Sequence, residues 1–158
     1  MTAANRFSLR ILAAVILTSL VFAALPARPV YAYDCAWTGA NGSAWSDASN
    51  WTGCGGSIPR TTDTVTIPDA AVTPNDPTLT AVETIDGLTI ESGGILNDGG
   101  KSLIVIGTSV TLDGTWLGTG WLNLNNAGTI TVNGAGSMGS GTRLALIAGS
   151  VVFPATAN

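Results

Sequence analysis

From Val65 onward the chain repeats a short pattern, an apolar residue on either side of a mostly β-branched centre. "VTI" begins at Val65, "LTI" at Leu88, "VTL" at Val110, "ITV" at Ile130 and "VVF" at Val151, at spacings of 23, 22, 20 and 21 residues. A second series, "VET" at Val82, "LIV" at Leu103, "LNL" at Leu122 and "LAL" at Leu144, is spaced 21, 19 and 22. Side chains alternate across a strand, so the outer residues of each triplet share one face and Thr66, Thr89, Thr111 and Thr131 point the other way. Turn formers fill the gaps: "ESGG", "NDGG", "LDGT", "LGTG", "NNAG" and "NGAGSMGSG". A meander of hairpins gives many short strands but does not require equivalent triplets at a fixed period. A coil of parallel strands does, because each rung must return the chain beneath itself. The pattern predicts an all-β parallel β-solenoid with rungs of about 21 residues.

Aligned on the triplets, Leu112 and Val132 are equivalent inward positions, and Glu91, Asp113 and Asn133 stack as the residues that follow them. Neighbouring strands lie about 4.8 Å apart. Two carboxylates at that distance suit the acid pair of a retaining glycosidase, or a Ca²⁺ ion. The plainer expectation is that Glu91 and Asp113 bond the local backbone as strand-to-turn residues. Asn123, Asn125 and Asn126 are candidates for an internal asparagine ladder, and Trp116 and Trp121 for packing across the "LGTG" turn.

Ahead of the repeat, "CAWTGANGSAWSDASNWTGC" holds the two cysteines and three of the five tryptophans. A solenoid's first rung exposes its apolar interior, and terminal units of repeat proteins are characteristically atypical. Residues 33–62 are therefore expected to form a cap, with Trp37, Trp45 and Trp51 as the plug and a Cys35–Cys54 disulfide pinning them. The alternative use of those three indoles is a sugar-stacking platform.

Residues 1–32 read as a signal peptide. Arg6 and Arg10 make a positive start, Ile11 to Leu25 is an apolar stretch too short for a comfortable bilayer span, and Val30-Tyr31-Ala32 suits cleavage after Ala32. Residues 33–158 then carry three cations (Arg60, Lys101, Arg143) and ten carboxylates, a formal charge of 3 − 10 = −7. So acidic a surface disfavours nucleic acid and anionic lipid as partners. The chain has no histidine, which removes the commonest metal ligand and general base, and no cofactor or metal is expected.

The triplet ladder with "LTIESGGIL" and "SLIVIG" resembles the right-handed parallel β-helices of exported bacterial surface proteins, including adhesin and autotransporter passenger regions and pectin-lyase-like proteins. "WTG…WSDASNW" followed by "IPRTTDTVTIP" is similar to the segment that opens such solenoids. The resemblance implies a secreted or cell-surface, adhesin-like, non-enzymatic protein whose partners are extracellular glycans or proteins. It leaves open a carbohydrate-binding module using Trp37, Trp45 and Trp51, and a fragment of a polysaccharide-degrading enzyme using Glu91 and Asp113. Nothing after Phe153 reads as a cap, so residues 63–158 are expected to be rungs of a longer solenoid, or to associate end to end.

Overall fold

The computed structural model describes residues 31–153. The signal peptide reading therefore falls almost wholly outside the described residues. Along the chain run β1 (Asp34–Trp37), β2 (Trp51–Thr52), β3 (Thr64–Ile67), β4 (Glu83–Ile85), β5 (Gly87–Ile90) and β6 (Ile95–Asn97). They are followed by β7 (Ser102–Val105), β8 (Ser109–Leu112), β9 (Thr115–Leu117), β10 (Trp121–Asn133), β11 (Ser137–Met138) and β12 (Arg143–Val152). One short 3₁₀ turn, Ala48–Asn50, interrupts them.

All of these strands but β2 stack in parallel on three faces, as a β-solenoid. The first face holds β1, β3, β5, β8 and the second half of β10. The second holds β4, β7 and the first half of β10, and β12 runs along both halves of β10. The third holds β6, β9 and β11, extended downward by single bridges from Asn97 to Thr78 and from Thr78 to Ala44. Val65 pairs with Leu88, Leu88 with Val110 and Val110 with Val132, so successive rungs take 23, 22 and 22 residues.

Inward columns form one continuous apolar core. Val65, Leu88, Val110 and Val132 line it from the first face, Ile85, Leu103, Val105, Leu122 and Leu124 from the second, and Leu96 and Trp116 from the third. At about 25 cal/mol per Å², such burial is a main favourable term holding the rungs together. Thr66, Thr89, Thr111 and Thr131 face outward, as the alternation predicts; Thr66 pairs with Thr89 and Thr89 with Thr111.

Three details of the expected register are corrected. The partner of Val110 is Val132 and not Ile130. The cause is the corner between the second and first faces, which takes three residues between Val105 and Ser109 and six between Leu124 and Thr131. Because the slip is two residues, both Ile130 and Val132 still point inward. Asn133 consequently lies beside Thr111 and does not extend the Glu91–Asp113 stack. Leu112 is only partly buried against the core, and Val110 is the fully buried residue of β8. In β4 the slip is one residue: Glu83 occupies the column of Leu103, and Val82 is 60% exposed.

Candidate functional site

The cap is built from β1, β2 and the turn between them. Trp37 and Trp51 face each other across the antiparallel pair of β1 and β2. Their rings meet edge to face at 5.0 Å, and Trp45 meets Trp51 at 4.6 Å in the same manner, the geometry that aromatic quadrupoles favour. Trp37 donates its indole N–H to the Asn75 carbonyl at 2.7 Å, and Trp51 to the Trp45 carbonyl at 2.8 Å. With exposures of 2%, 0% and 8%, Trp37, Trp45 and Trp51 offer no free ring face to a sugar. They join the solenoid core directly. Cys35 and Cys54 are disulfide-bonded and buried in that same cluster.

Buried polar residues tie the cap and rungs together. Asp63, wholly buried, accepts the backbone N–H of Tyr33 at 3.0 Å and of Arg60 at 2.8 Å, joining the entries to β1 and β3. Asn50 accepts the Asn41 N–H at 2.6 Å and donates to the Ala44 carbonyl at 3.1 Å. Asp47 starts the 3₁₀ turn by accepting the Ser49 N–H. That bond, with a second from Asn41, holds its carboxyl below the ordinary value. Asp98, also wholly buried, accepts the N–H of Gly100 at 2.7 Å, of Thr119 at 3.0 Å and of the Trp116 indole at 2.9 Å. Gly118 is required beside it: its φ is +120°, and a Cβ there would collide with the Asp98 carboxylate.

Glu91 and Asp113 follow Ile90 and Leu112, which pair directly, so the two carboxylates occupy one corner on adjacent rungs. Both are exposed. Asp113 accepts the Ala135 N–H of the next rung at 3.1 Å, a bond between rungs and not to its own local backbone. Among the described residues no group of three or more His, Cys, Asp or Glu is placed to hold a metal ion. Asn126 reaches across rungs singly, donating to the Ile106 carbonyl at 2.5 Å and accepting the Gly128 N–H at 2.7 Å. Trp116 packs inside against Asp98, whereas Trp121 stands on the outer surface, 40% exposed.

Trp121 is the one tryptophan that solvent reaches, and Arg143 lies over its ring, 5.0 Å from the centroid. The two pair across β10 and β12. Sequence reasoning missed this placement, although a signal was there: each residue immediately precedes a second-series triplet, "WLNL" and "RLAL".

Comparison with protein-family profiles, with curated proteins and with solved structures finds no match to this chain. The disulfide suggests an extracytoplasmic location, and among the described residues no helix is long and apolar enough to cross a membrane.

Proposed function

We propose that the chain is a non-enzymatic, exported or cell-surface β-solenoid of adhesin-like type, used as a structural and interaction module. One observation carries this reading: the two ends of the solenoid differ. At one end β2 runs antiparallel beyond β1, and the tryptophan cluster fills the interior. At the other, among the described residues, β12 presents Leu144, Leu146 and Val152, and Phe153 follows it, at 38%, 47%, 46% and 63% exposure. Leu144 and Leu146 sit in the columns of Leu122 and Leu124, so they are core residues in search of a next layer. An open strand edge above an apolar interior is a template for further pairing. The residues that could have served chemistry support the same reading. The three clustered indoles are plugs, Asp63 and Asp98 are clamps, and Asp113 bonds the next rung.

The partner at the open end is a further rung or a second copy. Two chains meeting open end to open end would close as a symmetric pair. Light scattering across a concentration series tests this. The chain is expected to pass from monomer to dimer, and Leu144→Lys with Leu146→Lys to hold it monomeric. A concentration-independent monomer with strong hydrogen-exchange protection over residues 144–153 would refute the reading.

A further inference from the structure

The outer surface of the second face carries a groove of about 350 Å³ lined by Ser102, Trp121, Asn123, Ala145 and Ile147. Register fixes its layout. Ser102, Trp121 and Arg143 form one column on successive rungs, and Ile104, Asn123 and Ala145 the column beside it. The guanidinium covers one face of the Trp121 indole. The rung on the other side offers only the small Ser102 side chain, so space remains against the ring. Ala145 leaves a low floor between the larger Trp121 and Ile147, the latter 59% exposed. An aromatic wall, an amide and a hydroxyl along one shallow groove, with a guanidinium over the ring beside it, match the mixed character of a sugar ring, with its apolar C–H face and polar edge.

Charge narrows the class of sugar. Residues 33–158 hold three cations against ten carboxylates. One of the three, Arg143, lies over the Trp121 ring. Of the carboxylates on neighbouring rungs, Asp98 is buried and occupied by three N–H donors, and Glu83 sits in the inward column of Leu103. A guanidinium beside the groove favours an anionic ligand, since it pairs strongly with carboxylate or sulfate oxygens.

We propose that the Trp121–Asn123–Arg143 groove binds an acidic glycan, a pyranose ring bearing a carboxylate or a sulfate. The ring stacks on Trp121, Asn123 and Ser102 bond its hydroxyls, and Arg143 takes the anionic group. This site is on the sheet's outer surface and does not depend on association through β12.

Trp121 reports on it directly, because Trp37, Trp45, Trp51 and Trp116 are buried. Tryptophan fluorescence and calorimetry would follow titration of the whole chain with alginate oligomers, sulfated dextran oligomers and neutral cellohexaose. Saturable binding of one or both acidic glycans, and not of cellohexaose, is expected, and the two acidic arms identify the anion. Arg143→Gln should weaken binding about tenfold, the worth of a charge-assisted hydrogen bond. Trp121→Ala should abolish it with the thermal transition unchanged, and Arg60→Gln should leave it intact. Equal affinity for cellohexaose, no binding of any glycan, or an Arg60→Gln loss matching that of Arg143→Gln would each overturn the proposal.

Discussion

Leu122 and Thr111 show how much a single side chain's direction matters. Leu122 is fully buried in line with Leu103 and Leu144, so Leu122→Ala is expected to cost about 2–5 kcal/mol in lost contacts and cavity. Thr111 points outward, and Thr111→Ala should stay within about 0.5 kcal/mol. Urea unfolding measures both, and equal losses would mean that the two faces are exchanged. Glu83 is a carboxylate in a column otherwise filled by leucine, and burial raises its carboxyl above the ordinary 4.5. The folded state then holds the proton more firmly than the unfolded chain. Its stabilising contribution is complete below pH 4.5 and is lost as pH rises through the elevated value. Glu83→Gln should therefore raise the melting temperature at neutral pH, with the gain disappearing below pH 4.5. A gain independent of pH would assign the effect to packing and not to charge.

Strands depend on register, and here Asn126 is decisive. The corner inside β10 holds three more residues than the one beneath it, and Asn126 bridges the resulting gap to the Ile106 carbonyl. Asn126→Ala removes both bonds, and should cost about 0.5–1.5 kcal/mol. Hydrogen exchange should quicken first in residues 124–131; unchanged exchange there would show the bridge to be dispensable. The same corner explains what the sequence could and could not convey. Triplets at Val65, Leu88, Val110, Leu103 and Leu122 were legible because each strand places two apolar residues inward. The strands of the third face were not, because β6, β9 and β11 rely on one large inward residue apiece, Leu96, Trp116 and Met138, among turn formers. Alternation reports parity alone, so a two-residue slip at Ile130 left every face correct and the partner wrong. Val82 misled differently: it is apolar yet outward, while Ile85 anchors its strand. The Glu91–Asp113 adjacency followed from correct local register. The Trp121–Arg143 column required comparing positions just outside the triplets.

Across the molecule, the cap and its disulfide define one fixed end. Cys54→Ser should lower stability by up to about 3 kcal/mol on the chain-entropy account, for a bridge spanning 19 residues. Native protein should show no reactive thiol, and alkylation of both cysteines without reduction would contradict the pairing. The asymmetry of the ends also makes the solenoid a directional mechanical element. Pulled by its ends, it should peel from β12 toward the cap, because among the described residues β12 is bonded on one side only, to β10. Each rung of 22 residues would add roughly 75 Å of extended chain. A force–extension trace should thus be a staircase of near-equal steps. The last rise should fall short by the length that the Cys35–Cys54 bond withholds, and recover it under reducing agent. A cap that yields before the outer rungs would reverse the order of steps, and a solenoid anchored by it would slip instead of paying out its length under load.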